Sequence, residues 1–342
     1  MKFGPVPVES ALGGIVAHSI RQEGLVLKKG ERISSAHVDA LKSAGIGEVT
    51  VALPELTDVG ENEAAQWLAQ SVAGQNVRVQ KPFTGRSNLF ATAAGVLLVS
   101  VDAIDEINDV DESITVASLP PWRTVVEGEM IGTVKIIPFA VPGNLLNDAL
   151  ACAGSAPLRV AAFKPLRVGV VSTLLPGLKA SVVAKTLRVL EERIAPARAT
   201  IVRETRVPHE TSALRAAIEE TAPLCDILVV FGASAITDRR DVIPAALEAA
   251  GGEIEQFGMP VDPGNLLLVG RIYDGERLVH VLGAPGCARS PKENGFDWVL
   301  HRLLAGIEVT ARDIRRMGAG GLLMEIVDRG QLREGEGEQG DE

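Results

Sequence analysis

Residues 226–245 read DILVVFGASAITDRRDVIPA, an apolar run followed by a loop of small residues and then by a helical pattern that starts near Asp241. A short, unbroken apolar run predicts a strand that is buried on both faces, as in parallel sheets. Small residues allow backbone N–H groups to approach an anion, and the N-terminus of the next helix adds free donors and a positive dipole end. The stretch therefore predicts a buried strand and an anion-binding loop that contains Gly232, Ala233 and Ser234.

The sequence around this stretch alternates between strand and helix patterns. Strands are predicted at residues 167–172, 199–203, 266–271 and 278–282, and helices at residues 180–194, 210–220, 241–250 and 291–304. Such alternation predicts an α/β domain with a mostly parallel sheet, here over residues 165–307. Because binding sites in these sheets lie beyond the carboxyl ends of the strands, we expect a ligand site in the loops that follow the strands.

Two further loops follow predicted strands of this sheet. Ser172 and Thr173 stand where a phosphate-binding loop would begin, although the sequence matches neither nucleotide-binding fingerprint and an ordinary turn is the alternative. The second of these loops, residues 283–290, follows the strand predicted at residues 278–282, and its glycines permit unusual backbone angles. Ser290 before a proline is a good N-cap signal for the last helix. A rigid turn at residues 259–264 is a fourth candidate. Beyond the Gly232 loop, the predicted ligand-binding residues are Ser172, Thr173, Pro263, Gly264, Gly283, Pro285, Gly286 and Ser290.

Two aspartates near the Gly232 loop are the candidate catalytic residues. Asp238 and Asp241 could hold a Mg²⁺ ion that is shared with the phosphate groups of a ligand, since this ion prefers oxygen ligands. The alternative for Asp241 is that it only caps the N-terminus of its helix. Asp241 is the predicted metal ligand, and which of the two acids is the key one stays open.

The rest of the chain divides into smaller parts. Residues 1–54 are predicted to form a small α+β domain, and residues 55–161 a second one, in which an apolar helix is predicted directly after residue 88. Residues 308–330 are predicted to be an extension behind the α/β domain. The acidic, glycine-rich residues 331–342 are predicted to be a disordered tail, because they offer too little apolar surface to fold.

Composition limits the classes of function. Hydrophobic residues make up 46% of the chain and aromatic residues 4%, so its cores must be built from Val, Leu, Ile and Ala. A net charge of −10 argues against sequence-independent binding to nucleic acid, which needs many cations. The three cysteines and five histidines show no disulfide or metal spacing, which favours a reducing compartment. With no visible secretory signal and no apolar run long enough to cross a bilayer, we expect a soluble, cytoplasmic protein without membrane partners.

Several motifs resemble one known family. Residues 240–245, Arg-Asp-Val-Ile-Pro-Ala, are similar to the junction of loop and helix in the molybdopterin-binding (MoaB/Mog) domain. The turns at residues 259–264 and 282–286 are similar to those of molybdopterin molybdenumtransferases. Residues 83–90 and 134–142 resemble the molybdopterin-binding half of bacterial proteins that carry a nucleotidyltransferase-like half behind it. The chain thus resembles the molybdopterin-binding proteins of molybdenum-cofactor biosynthesis.

The resemblance implies a three-layer α/β/α fold for residues 165–307 and molybdopterin, or the molybdenum cofactor, as the ligand. If the protein is an enzyme, the family implies adenylyl transfer from ATP to molybdopterin or insertion of molybdate, with Asp241 holding Mg²⁺ beside the phosphates. The resemblance also implies a homo-oligomer, and a molybdenum hydroxylase or a nucleotidyltransferase as a partner protein.

Departures from the family pattern keep other functions open. Glycines that line the family's loop are replaced here by Ala235, Ile236 or Thr237, and Cys287 stands where the family's last loop has asparagine. These changes favour binding over turnover, so a non-catalytic carrier that delivers the cofactor to a molybdenum hydroxylase is one alternative. A nucleotide pyrophosphatase of the competence-damage type is another, because it shares the loop architecture. Whether the chain is an enzyme stays open.

Overall fold

The computed structural model describes residues 1–22, 24–177 and 180–323 of the chain. The chain divides into two compact units, Met1–Ala162 and Phe163–Glu342, named here the first unit and the second unit. Both contain helices and sheets, so the protein is of the mixed α/β class. The tail predicted for residues 331–342, like residues 324–330 of the predicted extension, lies outside the described residues. In the described ranges, no helix combines the length and the apolar character that a bilayer span needs.

The first unit begins with a small part that has its own core. Its elements are β1 (Lys2–Pro7), β2 (Ile15–Val16), β3 (Ile20–Gln22), β4 (Leu25–Leu27), α1 (Ser35–Ser43) and β5 (Glu48–Leu53). Strands β1, β5 and β2 pair in that order as an antiparallel sheet. Helix α1 begins at a capping box, in which the Ser34 hydroxyl accepts the His37 N–H and the His37 ring accepts the Ser34 N–H.

The remainder of the first unit is built from short strands and three helices. Its elements are β6 (Asp58–Gly60), α2 (Glu61–Val72), β7 (Val77–Val79), β8 (Arg86–Ala91), β9 (Gly95–Val99), α3 (Val101–Val110), β10 (Ile114–Ser118), β11 (Thr124–Val125), β12 (Met130–Ile136), β13 (Ala140–Pro142), α4 (Gly143–Ala153) and β14 (Leu158–Ala162). A four-stranded sheet has the order β10-β12-β8-β7, and a three-stranded sheet has the order β11-β9-β14. Helices α2, α3 and α4 contribute residues to one shared core with both sheets.

The prediction of an apolar helix after residue 88 is wrong. The segment forms β8 and β9 instead, and alternate residues of β8 are buried, including Leu89 and Ala91. This period of two is the signature of a strand with one buried face. Small residues between the strands make the segment look uniformly apolar, which hides the alternation in the sequence.

The second unit carries one six-stranded sheet. Its elements are β15 (Arg167–Leu174), α5 (Ala180–Ile194), β16 (Thr200–Pro208), α6 (Thr211–Thr221), β17 (Ile227–Phe231), α7 (Val242–Ala249), β18 (Glu253–Phe257), β19 (Leu268–Asp274), β20 (Arg277–Ala284), α8 (Gly295–Leu304) and α9 (Ala311–Arg315). The strand order is β16-β15-β17-β20-β19-β18. The first four strands in this order are parallel, whereas β19 and β18 are antiparallel to their neighbours. Strands β16 and β18 are therefore the two edges.

Alternate residues of β15 enter two separate cores. Val168 and Val170 pack with residues of α5 and α8, whereas Val171 packs with residues of α6 and α7. The central strand β17 is buried along its whole length, as its unbroken apolar run predicts. Since adjacent strand residues point to opposite faces, the sheet buries apolar surface on both sides.

A strained turn in the first unit provides a test of the local structure. Phe83 and Arg86 exchange backbone hydrogen bonds at 2.9 Å around Thr84 and Gly85, which have φ of 45° and 69°. Positive φ at both central positions is a type I′ turn, which favours Asn-Gly and disfavours a β-branched residue. We expect Thr84→Asn to stabilise the first unit by about 1 kcal/mol, measured as a higher melting temperature.

A matched control separates backbone strain from a general effect of asparagine. Thr92 is also an exposed threonine in a turn, but its φ is not positive. Thr92→Asn should leave the melting temperature nearly unchanged. Equal stabilisation by both substitutions would show that the strain at Thr84 is not the cause.

Candidate functional site

The carboxyl ends of three neighbouring parallel strands meet at one edge of the second unit's sheet. In the register of β15, β17 and β20, Ser172 lies opposite Phe231, and Phe231 lies opposite Ala284. The loops that follow these residues therefore leave the sheet at the same level. This edge is the candidate site, and it comprises residues 172–173, 232–241 and 285–290.

Ser172 and Thr173 belong to β15, which continues to Leu174, so the prediction that a loop begins at these residues is wrong. Thr173 joins this strand end to the Gly232 loop. Its buried hydroxyl oxygen accepts a hydrogen bond from the Ala233 N–H at 2.8 Å and lies 2.8 Å from Nδ1 of His209. No sequence pattern marks His209, which stands just before α6, and only the fold brings it to Thr173. The loop after β17 is thus held to β15 by a side chain as well as by the pairing of the strands.

Ile236 fills a buried position in the Gly232 loop. Its side chain is 3% exposed, and a Cβ added at Gly283 would lie 2.9 Å from Ile236 Cδ1. Gly232 is equally close-packed, since a Cβ there would lie 2.7 Å from the Ser234 carbonyl oxygen. The structure therefore uses Gly232 and Gly283 for internal packing, while Ala233 and Ser234 stand on the more accessible part of the loop.

The two candidate acids are engaged within their own loop. The Asp241 carboxylate caps α7 and accepts N–H groups from Val242 at 2.7 Å and from Thr237 at 3.3 Å. Asp238 accepts hydrogen bonds from the side chain and the backbone of Arg240, and these lower the pKa of Asp238, with the side-chain bond the larger cause. Across the described ranges, no three His, Cys, Asp or Glu side chains are grouped to hold a metal ion. Asp241 thus adopts the capping role, and its metal role stays a prediction.

The third loop departs from its sequence prediction at the helix start. Gly286–Arg289 is a 3-10 helix, and α8 begins only at Gly295. The N-cap of α8 is Asn294, which forms a capping box with Asp297, so the prediction that Ser290 caps this helix is wrong. The capping box satisfies two N–H groups at once, which makes it a stronger start signal than a single serine before proline.

The turn at residues 259–264 borders the third loop through the start of α8. The Pro263 carbonyl accepts the Gly295 N–H at 2.8 Å, and the Asp262–Pro263 peptide bond is cis. Next to Gly295, the Asn294 side-chain amide donates to the Cys287 carbonyl of the third loop at 3.3 Å. Pro263 and the adjoining Gly264 are therefore connected to the candidate site only through the start of α8. The Gly232 loop and the third loop, in contrast, contact each other.

Arg289 is a residue of this edge that the sequence analysis misses. Its guanidinium donates to the Gly232 carbonyl at 2.6 Å and lies 5.9 Å from the centre of the Phe231 ring, so it ties the third loop to the second. Burial lowers the pKa of Arg289, and no carboxylate contributes to that shift. The buried Ser172 Oγ, at the same edge, has no hydrogen-bond partner in the described part of the chain. A half-buried cation without an acidic partner is suited to hold an anion.

Arg193, on the last turn of α5, holds the third loop in place through its guanidinium. Its guanidinium pairs with Asp297, and the two side chains are 8% and 7% exposed. It also donates to the carbonyl oxygens of Ala288 and Ser290. One buried cation thereby positions the 3-10 helix and the first turn of α8 together, and Arg289 extends from this fixed segment toward the Gly232 loop.

The Thr173 hydroxyl should control the order of the Gly232 loop. Thr173→Val leaves the Ala233 N–H without its partner, which costs about 1–3 kcal/mol for a buried donor. We expect faster hydrogen exchange at the Ala233 amide and a lower free energy of unfolding. Thr173→Ser keeps the hydroxyl, so it should retain most of the protection. Unchanged exchange in the valine variant would contradict the role given to Thr173.

The Arg193–Asp297 pair should be a major contributor to the stability of the second unit. Removing one partner of a buried pair costs about 3–5 kcal/mol because the other charge is left uncompensated. We expect losses of this size for Arg193→Met and for Asp297→Asn in urea unfolding, and a double variant that loses less than their sum. Arg215→Met, in the exposed pair with Glu219, is the control and should cost less than about 1 kcal/mol. Additive losses at the buried pair would show that the two side chains are not coupled.

Comparison with known proteins gives one short family match and many solved structures of low sequence identity. The profile of a domain of unknown function (DUF8806) matches residues 5–53, and no curated protein matches the chain. A molybdenum cofactor biosynthesis protein from Pyrococcus furiosus is 14% identical over 90% of this chain and 64% of its own length, with a TM-score of 0.26. The molybdopterin biosynthesis MoeA protein from Pyrococcus horikoshii is 16% identical over 89% and 75%, with a TM-score of 0.30. The molybdopterin biosynthesis enzyme MoaB from Thermus thermophilus is 15% identical over 41% and 97%, with a TM-score of 0.30. The chain thus spans less than two thirds of the first of these proteins.

Proposed function

We propose that the second unit binds molybdopterin, or the molybdenum cofactor, at the candidate site and that the protein acts in the biosynthesis or maturation of this cofactor. The observation that carries the proposal is Arg289, a half-buried guanidinium that has no acidic partner among the described residues and joins the third loop to the Gly232 loop. The ligand class comes from the resemblance of residues 240–245 and 282–286 to molybdopterin-binding proteins. Molybdopterin carries a phosphate, which supplies the anion that such a cation requires.

The residues at this edge fit a phosphate-bearing ligand. Arg289 donates one hydrogen bond to the Gly232 carbonyl and has further N–H groups to donate. The unpartnered Ser172 Oγ is a second group that gains from a polar ligand. At Gly286, an added Cβ would meet nothing within 4 Å, so the third loop leaves open space at this point. These features support binding of an anion between the end of β15 and the third loop.

The same geometry favours a carrier over an enzyme. Asp238 and Asp241 already accept hydrogen bonds from their own loop, and Ile236 fills space that glycines leave open in the family pattern. The acids therefore fit a structural role better than a dedicated Mg²⁺ site, and the proposal includes no step through Mg²⁺ or ATP. Delivery of the cofactor to a molybdenum hydroxylase, or exchange with a nucleotidyltransferase, would require binding alone.

Other parts of the proposal follow the family resemblance. The two cores on opposite faces of the sheet support a three-layer, MoaB/Mog-like arrangement for the second unit. A homo-oligomer and a cytoplasmic location belong to the same proposal.

Binding can be measured by the pterin that co-purifies with the full chain from cells that make the cofactor. We expect Arg289→Met to retain about ten- to a hundred-fold less pterin than the wild type, because a hydrogen bond to a charged group contributes about 1.5–3 kcal/mol. Arg188→Met, at an exposed position of α5, is the matched control and should retain wild-type amounts. Equal pterin content in all three proteins would refute the proposed site.

Two turnover assays on the same samples decide between the remaining functions. Release of pyrophosphate from ATP and molybdopterin, or of AMP from adenylated molybdopterin and molybdate, in the presence of Mg²⁺ would establish a transferase and reject the carrier. Hydrolysis of ADP-ribose without retention of pterin would favour the nucleotide pyrophosphatase of the competence-damage type. Retention of pterin without either reaction is the outcome expected of a carrier.

A further inference from the structure

A cavity of about 340 Å³ lies in the second unit, away from the candidate site. Its floor is formed by β18, β19 and the first half of β20, and residues 306–310 behind α8 form its wall. His280 in this floor precedes Ala284, at the candidate site, by four residues, or about 13 Å along an extended strand. The cavity is therefore a separate place on the same sheet, and its size is within the range of small-molecule sites.

Most of the charged groups in the floor are already satisfied by one another. Arg271 donates to Glu253, with Nη2 and Oε2 at 2.7 Å, and its Nη1 lies 4.0 Å from Oε2 of Glu255. The other carboxylate oxygen of Glu255 accepts the Ala311 N–H at 3.1 Å. These contacts offset the charge of Arg271. The hydrogen bond to Ala311 also holds the end of the 306–310 segment against β18.

Two polar groups that line the cavity have no such partners. The His280 ring and the Glu308 carboxylate make no hydrogen bond or ion pair with any of the residues described. Burial lowers the pKa of His280, and the negative charge of Glu308 acts in the opposite direction. The ring is therefore neutral near pH 7 and presents one nitrogen that can accept a hydrogen bond. The exposed Glu308 supplies a negative charge that acts on the ring.

Glu308 is the group of the lining that favours a cation. Arg271 pairs with Glu253 and lies 4.0 Å from Glu255, whereas Glu308 makes no ion pair with the described residues. The Lys164 ammonium lies against Gly306 of the lining and is not paired with Glu308. Leu278 and Ile307 provide apolar surface next to the polar groups. A fitting molecule carries a positive charge, an N–H to donate and a short hydrocarbon portion.

We infer that this cavity binds a small primary amine in its alkylammonium form. The ammonium group lies against Glu308 and donates an N–H to the free nitrogen of His280, while the alkyl chain covers Leu278 and Ile307. This site is independent of the anion site proposed at Arg289, because the two ligands differ in charge and contact different ends of β20. Its failure would leave the proposed function untouched.

The test uses three probes of similar shape and different charge on the full chain: n-butylammonium, butyrate and n-butanol. We expect saturable binding of n-butylammonium by titration calorimetry, with a shift of the His280 ring resonance, and much weaker binding of the other two. Glu308→Gln should weaken the binding of n-butylammonium at least ten-fold and remove the shift. Glu276→Gln, which removes an exposed carboxylate from the β19–β20 turn outside the cavity, should bind as the wild type does.

Three results would overturn the inference. One is the absence of saturable binding of n-butylammonium by the wild type. Another is binding of butyrate as tight as that of n-butylammonium, which would mean that the charge of the lining does not select the ligand. The third is equal affinity of the wild type and Glu308→Gln. Melting curves of both variants confirm folding, and His280→Phe, which keeps a ring of similar size but no acceptor, provides a second variant.

Discussion

The buried ion pair between Arg193 and Asp297 is the contact on which the geometry of the second unit's site depends. Two charged side chains this far from solvent are unfavourable by themselves, and they persist only because each has further polar partners. Arg193 satisfies carbonyl oxygens of the third loop, and Asp297 accepts the Asn294 N–H at the start of α8. A single charge on α5 therefore fixes a loop that is about a hundred residues away in sequence. Arg289 belongs to that fixed segment, and its guanidinium donates to the Gly232 carbonyl.

Much of the second unit follows from the sequence because its signals are local. The unbroken apolar run at residues 227–231 forms a fully buried strand, and helices and strands alternate as predicted. The meeting of three loops at one edge also follows, since parallel neighbours place their carboxyl ends together. The errors arise where two local signals compete. Small residues hide the period of two in β8. At the last helix, the Asn294–Asp297 capping box sets the N-terminus, although Ser290 also has the sequence signal of an N-cap.

What the sequence does not reveal is the set of contacts made across the fold. His209 beside Thr173 and Arg289 beside Gly232 join segments that are separated by 36 and 57 residues, and no spacing rule connects them. The only available sign for Arg289 is an arginine inside a glycine-containing loop that leads to a helix. For Asp241 the sequence offers two roles with the same residue type, and the hydrogen bonds of its carboxylate favour the helix cap. The presence of isoleucine at position 236, in place of a loop glycine, is likewise understood only from its packing beside Gly283.

The edge strand β16 has a consequence for the behaviour of the protein in concentrated solution. A nine-residue strand with one unpaired side is a template onto which another chain could add by backbone hydrogen bonding. Here the strand carries Arg203, Glu204 and Arg206, which pair with Glu220 or with each other and keep charge along the open edge. An incoming strand would have to desolvate these charges. Charged residues that lie outside both cores therefore oppose the addition of another strand at this edge.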